Sequence, residues 1–394
     1  MHTVSEAVAQ LLKEASLRVE EENTPLHDLL GRVLAESVVA SIDVPPADNS
    51  AMDGYAFRYK DWTGPEKPLL VSNRIPAGIS PQLLQAGTAA RIFTGAEIPQ
   101  GADTVVMQEH CVAQDNAVRI QKLPVHGANI RRRAQDVAIG QTVLNPGSRL
   151  RPQDVGLIAS LGIASLKTYR RLKVAVISNG NELIEPGEPA RPGQIYNSNR
   201  YLLIGLMNAW GFEVLDMGIA PDDPEAISTI LEEAARNSDV IISSGGVSVG
   251  EEDHIRTVVS KLGGLDLWKV SIKPGKPFAY GHVHGTPLLG LPGNPSSVWV
   301  TCLIIARPYL LACQGIRDVE IVPLRKAALF SCKKSFRTEY LRVKSTHKGL
   351  ECFPQQSSGV LLSAVWGDGL AVHPEGVEIQ EGDEIEYLPY AFLI

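Results

Sequence analysis

Five short segments put charged and flexible residues at points where a ligand would be met: Asn179-Gly180-Asn181-Glu182-Leu183, Pro221-Asp222-Asp223, Gly245-Gly246-Val247-Ser248-Val249-Gly250-Glu251-Glu252-Asp253, Lys273-Pro274-Gly275-Lys276-Pro277 and Pro292-Gly293-Asn294-Pro295-Ser296-Ser297. Together they collect the acids Glu182, Asp222 and Asp253, the lysines Lys273 and Lys276, and two glycine-rich turns. Carboxylates beside lysines and open backbone amides suit a phosphorylated ligand bridged by a hard divalent cation, magnesium above all. Each piece alone has a plainer reading. An Asp before a helix is usually its N-cap, so Asp223 reads as a cap and Asp253 serves equally as cap or ligand. Gly245-Gly246 is as much a turn as a binding loop, and lysines are ordinarily solvated, although prolines stiffen the segment that carries these two. Convergence of all five is what carries weight. There is no G-x-x-x-x-G-K-[ST] and no G-x-G-x-x-G after the first strand, which disfavours a P-loop kinase or a dinucleotide dehydrogenase.

Two further loops lie upstream. Asn49-Ser50-Ala51-Met52-Asp53-Gly54-Tyr55-Ala56 sets one acid in a small-residue turn, and Thr94-Gly95-Ala96-Glu97-Ile98-Pro99-Gln100-Gly101-Ala102-Asp103 is a second stiffened loop. A purely structural Asp-Gly turn explains either as well as a site does. Arg131-Arg132-Arg133 reads as a solvated face. His282 and His284 would share a face of a strand, but without a third ligand they do not make a zinc site.

The elements that must position these loops follow from periodicity. Thr3 and Glu6 form a capping box ahead of a helix with Val4, Ala7, Val8, Leu11 and Leu12 on one side. A second helix is expected over 25–36, then extended chain to Pro45-Pro46. Short apolar runs separated by Gly, Pro and Asn (69–71, 89–92, 104–107, 118–120) predict a β-rich unit, and a helix opens at Arg151-Pro152 and stops at Gly162. The helices on either side of the β-rich unit are expected to pack into one elongated region. From 172 to 313 strands (172–178, 213–217, 240–244, 265–271, 287–291) alternate with helices (199–210, 224–236, 253–262, 296–306), which predicts a doubly wound α/β domain. In such a sheet ligands bind beyond the carboxyl ends of the strands, and all five segments above follow strands. After Pro323 short strands return as a small C-terminal β domain. The expected division is 1–45 with 146–168, 46–145, 169–315 and 316–394.

Composition bounds the rest. The 394 residues are 44% apolar and 21% charged with net charge -7, enough apolar sequence for several cores and too acidic for a general nucleic-acid surface. The most apolar stretch, 298–306, meets Arg307-Pro308 well short of the roughly 20 residues that cross a bilayer, so no membrane span is expected. The first residues lack a signal peptide's basic and apolar regions, and five scattered cysteines (Cys111, Cys302, Cys313, Cys332, Cys352) suggest neither disulfides nor a zinc knuckle. A cytoplasmic protein with reduced thiols is expected.

The motifs Ser-Ala-Met-Asp-Gly-Tyr-Ala, Thr-Gly-Ala-x-x-Pro-x-Gly-Ala-Asp, Gly-Gly-Val-Ser-x-Gly-x-x-Asp, Lys-Pro-Gly-Lys-Pro and Leu-Pro-Gly-Asn-Pro, in this order, resemble the MoeA and gephyrin E-domain family, the molybdopterin molybdenumtransferases. The resemblance spans almost the whole chain. It implies a MogA-like molybdopterin-binding α/β domain, an inserted β-rich domain, an elongated dimerisation region and a C-terminal β-barrel-like domain. It also implies molybdate insertion into adenylylated molybdopterin with release of AMP, magnesium as the assisting cation, a homodimer with a composite active site, and transient contact with the molybdopterin adenylyltransferase. The family's functional acids fall on Asp53, Asp136, Glu182, Asp222 and Asp253, with Thr94 beside the first; Glu182, Asp222 and Asp253 are the implied metal ligands. Basic and turn residues fall on Lys269, Lys273, Lys276, Gly245, Gly246, Ser248, Pro292, Gly293, Asn294, Pro295 and Ser297, and in the C-terminal domain on Arg337, Arg342 and Ser358. Three departures stand out: Asn181 where the family has an acid, Arg131-Arg132-Arg133-Ala134-Gln135-Asp136 where Arg-x-x-Gly-Glu-Asp is usual, and Trp366-Gly367-Asp368 in place of an Ala-Asn-Gly run. Fewer acids imply altered metal affinity, and a non-catalytic pterin-nucleotide carrier or scaffold is the alternative.

Overall fold

The computed structural model describes residues 1–246 and 254–394. Its centre is a six-stranded sheet in the order Glu213–Ala220, Lys173–Asn179, Val240–Ser244, Thr286–Leu291, Pro277–Val283, Gly263–Lys269. The first four strands are parallel, and Pro277–Val283 runs antiparallel to both neighbours. The sequence reading met that strand only at His282 and His284 and left it out of the alternating set. Its alternation is short and interrupted by Gly281, yet it forms a tight hairpin through His284 (φ 50) and Gly285 (φ 86), both in the left-handed region that a two-residue turn requires. His284 therefore sits in the turn and does not share a strand face with His282. Gly263-Gly264, just past the expected helix 253–262, open the Gly263–Lys269 strand. Gly263 has no room for a side chain because a Cβ there would strike the His282 carbonyl of the adjoining strand.

Helices Ser198–Ala209, Pro224–Asn237 and His254–Leu262 cover the faces of this sheet. The last helix of the unit runs on past Arg307-Pro308, as Pro295–Thr301, a π-helical turn Cys302–Ala306 and Arg307–Cys313. Proline removes one intrahelical hydrogen bond and crowds the preceding turn, and the wider π turn just before it makes room. The resulting 19-residue helix is long and apolar enough to cross a membrane, but most of it lies inside the α/β core.

The first helix, Val4–Glu14, has its capping box, with Glu6 N donating to Thr3 Oγ1 and Thr3 N to Glu6. Its Ala7 and Leu11 join the α/β cluster with Leu303, Tyr309 and Leu310, so it does not pack with the Pro152–Ser160 helix as expected. No helix spans 25–36 either: one 3-10 turn, Leu26–Asp28, is followed by Gly31 at φ 76 and the strand Val33–Leu34. The leucines there are spaced as in a helix, but Gly31 turns the chain and Val33–Leu34 pairs with Ser165–Tyr169, which also pairs with Glu21–Pro25. Leu29, Leu34, Val38, Leu150, Ile158 and Leu166 form the core of this region.

The β-rich unit is a six-stranded sheet: Thr104–Met107, Gly54–Phe57, Thr88–Ile92, Leu69–Ile75, Ala117–Ile120, Cys111–Gln114. The C-terminal sheet orders Ile272–Lys273, Thr338–Ser345, Gly369–His373, Glu384–Pro389 and Leu324–Ala327, with Leu350–Cys352 on its second strand. Its edge strand thus comes from the Lys-Pro-Gly-Lys-Pro segment of the α/β unit.

Candidate functional site

Strand order reverses between Lys173–Asn179 and Val240–Ser244, which is where an open α/β sheet leaves a crevice at its carboxyl edge. Gly245 (φ 82) and Gly246 (φ 69) turn the chain there. A Cβ on Gly245 would stand 2.6 Å from the Asn179 carbonyl, and one on Gly246 would stand 2.6 Å from Ile255 Cδ1 and 2.8 Å from Asn179 Oδ1. Gly293 lies alongside, its Cβ position 3.9 Å from Gly245 Cα. Only glycine gives two turns this close an approach without strain.

Under these glycines is a polar floor that the sequence reading missed. Ser178 Oγ contacts Ser244 Oγ (3.4 Å) and donates to Asn197 Oδ1 (3.3 Å), Asn179 Nδ2 donates to the Ala220 carbonyl (3.2 Å), and Asn199 Nδ2 donates to the Gly293 carbonyl (2.6 Å). Asn197 Nδ2, Asn199 Oδ1 and Thr301 Oγ1 are buried without a hydrogen-bond partner among the described residues. Buried polar atoms are nearly always paired, so such atoms, with Asn199 at Gly293 and Thr301 at Gly275, offer polar capacity to a ligand. The local signal was the run Asn197-Ser198-Asn199 ahead of a helix, in which Asn197 is the N-cap.

The acids stand on the same edge. Asn181 and Asp222 are joined reciprocally: Asn181 N donates to Asp222 Oδ2 (3.3 Å) and Asp222 N to Asn181 Oδ1 (3.2 Å). The amide at 181 therefore meets Asp222 without setting two carboxylates against each other. The Glu182 carboxylate folds back over Gly180, which sits at φ 148. Asp223 is the N-cap, accepting from Ala226 N (2.9 Å). Asp253 and Ser248 lie outside the described residues. Among the described residues no three His, Cys, Asp or Glu side chains converge as a metal cluster. The donors present, the exposed Glu182 and half-buried Asp222 carboxylates, are oxygen only, a set that fits a hard cation completed by water or substrate.

The lysine segment folds onto the same edge. Gly275 (φ 110) packs against Thr301 Oγ1 and Ser297 of the Pro295–Thr301 helix. Lys269 and Lys276 are exposed and pair with no carboxylate among the described residues. Lys273 differs, since its Nζ is 3.0 Å from both oxygens of the nearly buried Glu339. Arg337 Nη1 donates to the neighbouring Ile272 carbonyl (3.0 Å). Ser358 meets the helix start, its carbonyl accepting from Ser296 N (2.9 Å), and Pro292 is buried while Asn294 is exposed.

Arg342, by contrast, is fully buried and does not reach the crevice. Its guanidinium donates to Ser363 Oγ (3.0 Å) and the Tyr340 carbonyl (3.0 Å), and burial lowers its pKa. With Gln356 Oε1 accepting from its backbone N, it holds the 356–363 segment, whose Val360 carbonyl takes the Ser296 hydroxyl. Arg342 thus positions the loop that carries Ser358. The Trp366 departure is equally embedded: Trp366 packs on Phe353, and Asp368 accepts from Ser345 N and the Tyr387 hydroxyl.

In the β-rich unit Asp53 Oδ1 accepts from both Thr94 N (2.7 Å) and Thr94 Oγ1 (2.8 Å). These two bonds, with Arg91 nearby, hold its carboxyl below the ordinary range. Asp136 is exposed in the same unit, its N bonded to the Val44 carbonyl. Two of the three consecutive arginines are ion-paired, Arg132 with Asp48 and Arg133 with Asp43. No hydrogen bond or ion pair among the described residues joins the Asp53 corner to the α/β edge, so within one chain these halves stay apart.

Comparison with known proteins agrees with this architecture in every unit. Residues 2–162 match the MoeA N-terminal region (domain I and II), 175–312 a probable molybdopterin binding domain, and 329–390 the MoeA C-terminal region (domain IV). A molybdopterin molybdenumtransferase of Haemophilus influenzae is 39% identical over 316 residues, covering 80% of this chain and 78% of that protein. One of Synechococcus elongatus is 35% identical over 390 residues, covering 94% and 95%. The crystal structure of the molybdopterin biosynthesis MoeA protein of Pyrococcus horikoshii superposes with TM-score 0.86 at 29% identity, over 99% of this chain and 100% of that one. With homologous sequence along its length and the same fold throughout, this chain belongs to the MoeA family of molybdopterin molybdenumtransferases.

Proposed function

We propose that this protein is a molybdopterin molybdenumtransferase, which inserts molybdate into adenylylated molybdopterin and releases AMP. The observation that carries the reading is the glycine crevice at the strand-order reversal, with asparagine and threonine atoms and Lys269 and Lys276 that have no partner among the described residues. A polar floor suits the pterin's hydrogen-bonding edge, and lysines suit phosphoryl and molybdate oxygens. In this reading Gly245, Gly246, Ser248, Pro292, Gly293, Asn294, Pro295 and Ser297 frame the pterin. Lys269, Lys276, Arg337 and Ser358 neutralise the oxyanions, with Lys273 shared with Glu339. Glu182 and Asp222, with Asp253, would hold a magnesium ion, which would supply charge neutralisation at the pyrophosphate. The chain's own residues then act by positioning and electrostatics, and no covalent protein nucleophile is required.

Asp53, Thr94 and Asp136 belong to the same site only if a second copy brings its β-rich unit to this crevice. The homodimer with a composite active site is therefore part of the proposal, supported by the separation of the two halves within one chain. The division into 1–45 with 146–168, 46–145, 169–315 and 316–394, amended in that the first helix packs on the α/β unit, goes with it, as do a cytoplasmic location and contact with the adenylyltransferase. The test is to mix the purified protein with adenylylated molybdopterin, magnesium and molybdate and follow AMP by chromatography. Release of AMP that needs both molybdate and a divalent cation is expected. Tight binding without release would leave a carrier, and absence of binding a scaffold.

A further inference from the structure

On the sheet of the β-rich unit, next to Asp53, two arginines stand directly opposite each other: Arg74 of Leu69–Ile75 is the register partner of Arg91 of Thr88–Ile92. Like charges paired across a sheet destabilise it, and neither guanidinium is paired with a carboxylate among the described residues. The two are layered on aromatic rings instead. Arg74 lies 4.7 Å and Arg91 4.8 Å from the centre of the Phe93 ring, and Arg91 lies 5.1 Å from that of Tyr55, its partner on the other side. Arg91 is held in place by donating Nη1 to the Gly54 carbonyl (3.1 Å) and Nη2 to Gln108 Oε1 (2.5 Å). The exposed Arg74 makes no hydrogen bond to an acceptor among the described residues, which leaves its donors open there. Ring contacts offset part of the repulsion, and a bound anion would remove the rest.

We propose that Arg74 and Arg91, layered on Phe93 beside Asp53, form an oxyanion-binding platform by which the β-rich unit holds a phosphoryl or molybdate group of the substrates. This rests on the molybdenum-transfer reading above. It gives the unit a cationic role besides its acids: Arg91 is fixed and Arg74 presents a free planar fork, the geometry that binds tetrahedral oxyanions through paired N–H groups. Arg74 is the sharper probe, because its exposed side chain has no hydrogen bond among the described residues to lose on substitution.

The test is calorimetric titration of the full-length protein and of its Arg74→Gln, Arg91→Gln and Arg74→Lys variants with AMP, and separately with molybdate, at low salt, with thermal melting to verify folding. We expect Arg74→Gln to weaken one of the two anions about tenfold or more, the loss of a hydrogen bond to a charged group. Arg91→Gln should act in the same direction, and Arg74→Lys should recover part of the affinity. Loss confined to AMP assigns the platform to the phosphoryl group, and loss confined to molybdate assigns it to that anion. Unchanged affinities in folded Arg74→Gln, or no saturable binding of either anion by the wild type, would overturn the platform. Because binding is read without turnover, wild-type AMP release in the transfer assay stands or falls separately.

Discussion

Asp53 and Thr94 show how one short contact can set a charge. The Thr94 backbone N–H and hydroxyl both donate to one carboxylate oxygen, which favours the ionised form and leaves Asp53 Oδ2 without a protein partner among the described residues. Thr94→Val removes the hydroxyl and keeps the N–H, so the pKa of Asp53 rises. The acidic limb of the rate profile for AMP release is expected to move to higher pH, read by assaying across pH 4–8. Asp53→Ala should abolish AMP release while the melting temperature stays near that of the wild type, since the carboxylate is surface-accessible. Arg342 has the opposite character. Arg342→Met would leave the Tyr340 carbonyl and the Ser363 hydroxyl short of a donor inside the C-terminal unit. At roughly 1–3 kcal/mol for each buried group left unsatisfied, a loss of about 2 kcal/mol or more in urea unfolding is expected.

At the scale of elements, backbone geometry at the turns decides what can stand there. Ala134 sits at φ 60 where the family pattern has glycine, a conformation that costs an L-residue roughly 1–2 kcal/mol. Glycine would lose about 0.5–1 kcal/mol of that gain to chain entropy. Ala134→Gly is therefore expected to stabilise the protein by up to about 1 kcal/mol, measured by denaturant midpoint. Gly245→Ala runs the other way. It places a Cβ 2.6 Å from the Asn179 carbonyl at φ 82, and destabilisation of about 1–3 kcal/mol together with weaker AMP binding is expected.

The stability of the whole molecule depends on acids that local partners hold ionised. Asp43 accepts from Ile139 N (2.8 Å) and from Arg133 Nε (2.5 Å), and these bonds lower its pKa. Asp154 is held low by Arg151, whose guanidinium and backbone N–H both donate to it. For a carboxylate with a lowered folded-state pKa, the stabilisation is complete above its unfolded pKa and disappears as pH falls through the folded value. Melting temperature should thus be insensitive to these groups from pH 8 to 5 and fall steeply below about pH 4. Asp43→Asn should flatten part of that fall, and an identical acid profile in the variant would remove Asp43 from the set.

The sequence alone determined the local chemistry. The capping box at Thr3 and Glu6, the Asp223 cap, the parallel strands and the motifs carrying the family are encoded within a few residues of one another, so spacing reveals them. It misled where local periodicity was outvoted by distant partners. The leucines of 25–36 imitate a helix until Gly31 turns the chain and Val33–Leu34 finds Ser165–Tyr169; Arg307-Pro308 reads as a stop until a π turn absorbs it. Only the tertiary structure decided that the first helix belongs to the α/β core, that Arg342 is buried, and that Lys273 faces Glu339. Residues such as Asn179, Asn197, Asn199 and Thr301 become a polar floor only when segments far apart in sequence meet. Arg74 and Arg91, 17 positions apart and unremarked in the sequence, become neighbours through strand register, which no local pattern specifies.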